Sequence, residues 1–509
     1  MTRVATLIAA LVAALVLGTA LMLTTQAQGF ALRPADWAAI RFTLVQAGLS
    51  ALVATALAIP LARALMRRRF VGRGALIALM GAPFLLPVVV AVVGMLSVYG
   101  RGGPANQALA ALGLPPLSIF GLHGVVLANL FFNLPLATRI LLIGWAAIPA
   151  ERFRLAETLN LPPSSRFRHI EAPMLRTLLP GTFATVFLLC LTSFVVALTL
   201  GGGPRATTLE LAIYQALRFD FDLGRGALLA AVQFAICIAV VTVAGQMAPP
   251  TGFGVGLDRE NPMAAQAGWR RMADGGLIGL VVLFLALPLL AVLGDGLPHL
   301  ADLPPAVWVA ALRSGWMACL SALLATAGGL CLALVAARVG ALRRWIDIAA
   351  MLPMAASGLV LGTGLFLMIR PFAPPEAVAL PVTILVNATM ALPFVYRLLY
   401  PQAQELVAGY DRLSDSLGLT GMARLRFVTL PRLARPLGLG SGIAAALAMG
   451  DLGVIALFAG QDSATLPLVV QRLAGAYRMD QAAAAALVLV GTSFLLFALC
   501  DLGGRRAAA

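Results

Sequence analysis

The chain has 509 residues, 61% apolar and only 11% charged, with a formal net charge of +15 at pH 7. Soluble domains carry roughly 25% charged residues, so an ordinary globular fold is excluded. All 36 cationic side chains are arginine; a chain without lysine has no G-x-x-x-x-G-K-[ST] phosphate loop, and any ATP it depends on is bound by another polypeptide.

Apolar runs of about 20 residues, enough to cross a ~30 Å hydrocarbon core, recur along the whole chain. They predict an all-α polytopic membrane protein rather than a β-barrel, whose strands alternate over about ten residues. Twelve spans are expected, near 4–24, 43–64, 75–98, 121–143, 179–200, 226–245, 275–295, 308–336, 346–369, 377–399, 438–459 and 482–502. The first follows Arg3 and precedes TTQAQG, as a signal peptide would. Its apolar run exceeds the 7–15 residues of a signal h-region, so a retained span is expected.

After the second span, MRRRFVGR carries four arginines and no acid; Arg338, Arg343 and Arg344 follow the eighth, and Arg505 and Arg506 end the chain. Asp295 and Asp302 flank the connection between spans seven and eight. The positive-inside rule puts the arginine-rich loops and both termini in the cytoplasm. Arginines spread through short loops, not gathered on one domain, argue against a nucleic-acid partner.

Between spans four and five lies RLAETLNLPPSSRFRHIEAPMLRTLLP, residues 154–180, on the cytoplasmic side. Leu155 and Leu159 are four apart and share one face of a short helix, with Arg154, Ala156 and Glu157 on other faces. Asn160 tolerates the left-handed conformation that stops a helix, and Pro162 and Pro163 reinforce the stop. A second short helix carries Arg166, Phe167 and Ile170, and Pro173 is expected to end it before the chain re-enters the membrane.

Span five brings Thr192 and Ser193 to membrane depth as candidates for a translocation path, with interhelical hydrogen bonding as their alternative, as for Asn133 and Asn387. The segment LGGGPRATTLELAIYQALRFDFDLGR then lies outside, with a tight exit turn and a short surface helix. Two readings stay open there. One is a plain re-entry helix; the other is a rim touched by a soluble binding protein, with Arg205, Arg218, Asp220 and Asp222 supplying charges.

Residues 251–274 read as a cytoplasmic linker between units at 1–250 and 275–509. A second hairpin, RLSDSLGLTGMARLRFVTLPRLARPLG, follows span ten. It sets Arg412, Leu413, Ser414, Leu417 and Gly418 in the first helix and Arg424, Leu425 and Val428 in the second, before Pro431. In span eleven Asp451 places a carboxyl at membrane depth, which is costly and by default functional. It is read as a path contact for a cation, as a partner of Arg139 or Arg397, or as a neutral acid bonded to backbone. The five cysteines lie singly in apolar segments and read as buried small hydrophobes; with three scattered histidines, no metal site is expected.

Shifting the sequence by 258 positions lays residues 154–175 on 412–433 with eight of 22 identities, and Pro135/Pro393 and Arg139/Arg397 keep the register. LSALVAT (49–55) matches LSALLAT (320–326) at a slightly larger offset. This is an internal repeat. Six spans per unit return the chain to one side, so the two units have parallel orientation, unlike inverted-repeat transporters. A two-fold pair of apolar knobs with charged rims, at about 150–173 and 408–431, suits helix-in-groove docking on a two-fold partner. An interfacial helix lying on headgroups is the alternative.

The hairpins resemble the cytoplasmic E-A-A-x-x-x-G loop, closed by a later L-P, of ABC importer permeases. Gly418 and Thr429-Leu430-Pro431 fit that pattern. Arg154-Leu155-Ala156 and Arg412-Leu413-Ser414 depart from it, as do Asn160 and Glu171-Ala172-Pro173. With LARALMRRRF (61–70), LSVYGR (96–101), LGGGPRATTLELAIYQAL (200–217), GDLGVIALF (450–458) and TLPL (465–468), the chain is similar to fused thiamine-type and ferric-iron-type permeases.

The resemblance implies a type I importer-like permease of two tandem six-helix units in the bacterial inner membrane, without catalytic activity of its own. ATP and Mg²⁺ would sit on two copies of a cytoplasmic ATPase subunit seated on the hairpins. A periplasmic thiamine-binding protein would deliver thiamine and its phosphate esters for inward transport by alternating access. Ferric iron is the alternative cargo. An ion-coupled secondary transporter is a rival class, with Asp451 as its evident coupling carboxylate. A membrane-embedded enzyme lacks a His, Glu or Cys cluster in the sequence.

Overall fold

A computed structural model describes residues 2–27, 31–80, 86–203, 206–247, 268–460 and 463–508. All regular structure among these residues is helical. The chain opens with α1 (Thr2–Gln26), α2 (Pro34–Arg67), α3 (Arg73–Leu79), α4 (Val88–Tyr99), α5 (Pro104–Ala111) and α6 (Leu122–Ala146). The first hairpin follows as α7 (Ala150–Thr158) and α8 (Pro163–Arg166), and then come α9 (Ala172–Leu191), α10 (Phe194–Leu200), α11 (Leu209–Arg218) and α12 (Leu223–Met247).

The same order then recurs as α13 (Trp269–Gly296), α14 (Pro305–Arg338), α15 (Gly340–Met351), α16 (Gly358–Ile369) and α17 (Ala379–Ser416). It ends with α18 (Gly421–Arg424), α19 (Leu430–Met449), α20 (Gly453–Phe458), α21 (Leu466–Gly475) and α22 (Met479–Ala508). The single helix α17 takes the place of both α6 and α7.

Eleven helices among the described residues are long and apolar enough to cross a membrane, or twelve if the bent pair formed by 340–355 and 358–369 counts as one span. That pair turns through 92°, so the expected straight span at 346–369 is broken. The cause lies in Pro353, whose missing N–H stops the helix, and in Ser357, whose hydroxyl accepts from the Val360 N–H to start the next one. The expected third span at 75–98 is likewise divided, with α3 before it and α4 beginning only at Val88. Most of the expected linker at 251–274 lies outside the described residues, and α13 begins at Trp269 rather than 275.

The first helix of each series packs on the other series. A Cβ on Gly94 of α4 would fall 2.3 Å from the Pro288 carbonyl oxygen of α13, and one on Gly364 of α16 would fall 2.5 Å from the Thr19 Cβ of α1. Glycine alone permits both approaches. Ion pairs fix the ends of these helices: Arg68–Asp274 at 2.8 Å ties the end of α2 to the start of α13, and Arg225–Asp36 at 2.8 Å ties α12 to α2 at the opposite face.

All four hydrophobic cores among the described residues draw on both series, two of them most evenly. One joins Leu211 and Ala230 to Leu361 and Val454; the other joins Val92 and Phe131 to Met449 and Ala484. The outward faces are apolar too, as with Leu7, Leu11, Leu17 and Leu21 of α1. The expectation that every cysteine is buried holds for Cys190 and Cys237, holds only in part for the half-buried Cys331 and Cys500, and fails for Cys319, which lies on the exposed side of α14.

Candidate functional site

Both hairpins end their first helix in the same six-to-one, five-to-two turn. In the first, the Leu161 N–H donates to the Ala156 carbonyl at 2.9 Å and the Asn160 N–H to Glu157 at 2.9 Å. In the second, Leu419 donates to Ser414 at 2.9 Å and Gly418 to Asp415 at 3.1 Å. Asn160 at φ +47° and Gly418 at φ +66° supply the left-handed residue that this turn requires.

The turn aims Leu155, Leu159, Leu413 and Leu417 outward; all four are at least half exposed. Met422 and Phe427 extend the apolar face of the second hairpin. Sequence reasoning missed both, although Met422 lies five residues beyond Leu417 across the turn. Arg154, Asn160, Arg412 and Gly418 are also exposed.

Other expected docking residues face inward. Ala156, Ile170 and Ser414 are buried, while Phe167 packs under the Arg63 guanidinium, 4.9 Å from its ring centre. Leu425 and Val428 are partly covered. Arg166 donates from Nε to the Leu161 carbonyl at 2.8 Å, and Arg424 pairs with Asp411 and, at 3.0 Å, with Asp415. These arginines stitch the hairpins together rather than project from them.

Pro173 and Pro431 do not end a helix. Each sits in the first turn of α9 or α19. The preceding turns, Phe167–Glu171 and Leu425–Thr429, are π-helical, with Ala172 donating to Phe167 and Leu430 to Leu425. Each proline thus follows a π-turn and does not stop the helical run, so the hairpin continues into the membrane helix.

At membrane depth α9–α10 and α19–α20 are broken at positions related by the same 258-residue shift, which superposes Ser193 on Asp451. A break in the bilayer is tolerated when neighbours satisfy the freed backbone groups. Gln46 donates to the Cys190 carbonyl at 2.8 Å and Gln233 to Leu191 at 3.2 Å. Ser193 and Thr192 turn back onto carbonyls of α9.

In the second copy the Asp451 carboxyl lies at the start of α20, beside the Gly453, Val454 and Ile455 N–H groups and beside Asn387, whose amide donates to the Ala448 carbonyl at 3.5 Å. The expected partners Arg139 and Arg397 do not hold it: Arg397 points to Met351. One oxygen of Asp451, Oδ2, is buried without a hydrogen-bond partner. Gln46 and Gln233, missed in the sequence, are legible only once the break is known.

On the face away from the hairpins, Arg205 lies outside the described residues. Asp222 caps α12 through the Arg225 N–H at 3.0 Å and pairs with Arg33 at 3.3 Å; Asp220 approaches Arg225 at 3.7 Å. Arg218 instead reaches across to the second series, donating to the Ala459 carbonyl at 3.1 Å. Glu210, eight residues earlier on α11, is fully buried beside the Phe194 backbone and the Ser357 hydroxyl, with its Oε1 lacking a hydrogen-bond partner, and burial pushes its carboxyl up to about 7. This buried acid was also missed, because an amphipathic surface helix gives no sign of which polar residue turns inward.

An all-α chain with eleven or twelve helices able to cross a membrane among its described residues, in which each of two matching hairpins leads into a broken helix, has the organisation of an ABC transporter permease. The thiamine transport system permease protein ThiP of Escherichia coli (strain K12) is 40% identical over 496 residues, covering 92% of this chain and 90% of its own length. The ThiP of Brucella abortus (strain 2308) is 39% identical, covering 93% and 88%, and that of Haemophilus influenzae is 34% identical, covering 90% and 87%. The molybdenum transport system permease protein ModB of Azotobacter vinelandii is 32% identical over 35% of this chain and 78% of its own length. No family model matches the chain. On the ThiP relatives, the chain belongs to the thiamine transport system permease family.

Proposed function

We propose that this chain is the membrane subunit of an ATP-driven importer that moves thiamine and its phosphate esters from the periplasm to the cytoplasm of a bacterial cell. Two permease units, 1–250 and 275–509, lie in the inner membrane with both termini and both hairpins cytoplasmic. The relatives' names and the arginine-rich loops support this orientation and cargo. Two copies of a separate ATPase subunit, carrying ATP and Mg²⁺, grip the hairpins, and a thiamine-binding protein docks at the opposite end.

The carrying observation is the pair of exposed leucine knobs, Leu155/Leu159 and Leu413/Leu417. Solvent-exposed leucines fixed on identical turns suit a groove on a partner. ATP closes the two ATPase subunits, draws the hairpins together and opens the path outward; hydrolysis resets it. Nucleotide can shift that equilibrium only by its difference in affinity for the two states. The Asp451 carboxyl, at a helix break at membrane depth, is the candidate polar contact for a passing thiazolium ring.

The test is labelled-thiamine uptake in cells with and without this chain, together with co-purification of an ATPase subunit. Uptake that depends on the chain and stops with ATP depletion is expected. Uptake driven by an ion gradient with no ATPase bound would overturn the reading.

A further inference from the structure

At the outer face a cavity of about 280 Å³ opens between α11 and α21, where the two series meet. Its floor is apolar, formed by Leu198, Ala456 and Leu468, and its polar wall consists of Tyr214, Gln215, Arg218, Gln471 and Arg472. Every polar side chain there can donate a hydrogen bond, and the lining holds no carboxylate. Arg218 is held from behind by the Ala459 carbonyl at 3.1 Å and Arg472 by Gly460 at 3.4 Å. Each guanidinium therefore keeps donors to spare. Both are close enough to act on the Tyr214 phenol, whose pKa burial raises and the two charges oppose. Glu376 packs against the Gly460 turn, yet neither arginine forms an ion pair among the described residues.

Two guanidiniums, a phenol and two carboxamides facing one hollow repel a cation and match the oxygens of phosphate, which planar arginine forks bind best. The volume suits a phosphate or pyrophosphate group rather than a whole cofactor. Along α11, Glu210, Tyr214 and Arg218 recur every four residues, so they form one stripe. Its ends are about 12 Å apart, with the acid buried and the guanidinium at the mouth.

We propose that the Arg218–Arg472 pocket is an anion subsite that holds the phosphate tail of phosphorylated cargo at the outer entrance. This rests on the cargo reading above, and it adds that the permease itself, not only its delivery protein, distinguishes phosphate esters from the free vitamin.

The first test compares uptake of labelled thiamine diphosphate and labelled thiamine by the complete importer carrying Arg218→Gln plus Arg472→Gln. The ratio of diphosphate to thiamine uptake falls about tenfold, as for loss of charge-assisted bonds to one group. A ratio that stays constant, whether both uptakes fall together or neither does, overturns the proposal. The second test does not involve cargo. Inorganic pyrophosphate raises the melting temperature of the purified wild-type permease and leaves the double variant unmoved; equal shifts, or none in the wild type, overturn the site. If the wild-type importer carried neither compound while pyrophosphate still gave the difference, the cargo reading would fall and the anion site would stand.

Discussion

At the base of the first hairpin the Glu171 carboxylate, 1% exposed, receives the Arg63 guanidinium at 2.7 and 2.9 Å and the Trp145 indole N–H at 3.3 Å. In the second hairpin the same position is Thr429, whose hydroxyl only turns back to the Arg424 carbonyl at 3.3 Å. Its charges lie nearer the rim, where Asp411 bridges Arg338 and Arg424 and the Arg432 guanidinium stacks 4.1 Å above the Tyr410 ring. The leading helices differ as well. Pro149 separates α7 from α6, whereas Val407, 258 residues on, lets α17 run unbroken through 38 residues. What the two copies share is the turn and the outward leucines; what they do not share is how those are held. On the docking proposed above, a surface met by a common partner is fixed by that partner, while each anchor need only be consistent with its own neighbours.

The largest expected effect sets the two anchors apart. Glu171→Ala leaves Arg63 and Trp145 without their acceptor, and breaking a buried pair from one side costs about 3–5 kcal/mol. The variant loses thermal stability in detergent and is cleaved faster near residues 150–173. The paired change Arg63→Met with Glu171→Leu recovers most of that loss, since a packed apolar replacement is often neutral. Were Glu171→Ala as stable as the wild type, the first hairpin would not rest on this pair.

Next in size is the shared face. Leu155→Ala with Leu159→Ala, or Leu413→Ala with Leu417→Ala, removes apolar area from an association, about 2–4 kcal/mol or roughly 30- to 1,000-fold in affinity. Titration against the ATPase subunit measures it, and melting of the permease alone stays within about 0.5 kcal/mol for such surface changes. Similar losses from both pairs are expected. A loss confined to one pair would remove the idea of equivalent knobs.

A smaller change tests the second anchor. Asp411→Asn removes the carboxylate that bridges Arg338 and Arg424 at a partly exposed site, while Arg424 keeps Asp415, so the cost lies between a surface and a buried pair, about 1–2 kcal/mol. Because these charges hold the hairpin together, faster proteolysis around 408–431 is expected, with the first hairpin unaffected. Equal cleavage of both would show the hairpins to be mechanically linked.

Much of this was legible beforehand for physical reasons that are local. Apolar run length marks a crossing, leucines four apart mark a face, and Asn160 and Gly418 mark a turn. What escaped depends on contacts between distant parts of the chain. Nothing near Arg166 or Arg424 tells whether a guanidinium reaches a partner protein or its own turn. Pro173 reads equally as a stop or as a first-turn residue until the π-turn before it is seen. The crossed packing of α1 and α13 rests on Gly94 and Gly364, two of the chain's 50 glycines. Glu210 and Asp451 look alike in composition, yet one meets the opposite series and the other lies at the start of a broken helix.

The finest distinction lies in the turn itself, where the two copies solve one backbone problem with different residues. A Cβ on Gly418 would meet nothing within 4 Å, so Gly418→Val acts only through backbone strain at positive φ, about 1–2 kcal/mol. Asparagine already tolerates that region, so Asn160→Gly shifts stability by no more than about 0.5 kcal/mol, relieved strain being offset by added chain freedom in the unfolded state. Valine at 160 costs as much as valine at 418. The measurement is ATP hydrolysis per thiamine carried, alongside melting. Gly418→Val and Asn160→Val should both raise that ratio, because a splayed turn misplaces the leucines, and Asn160→Gly should leave it alone. If Gly418→Val coupled normally while melting lower, the turn would matter to the fold and not to the grip.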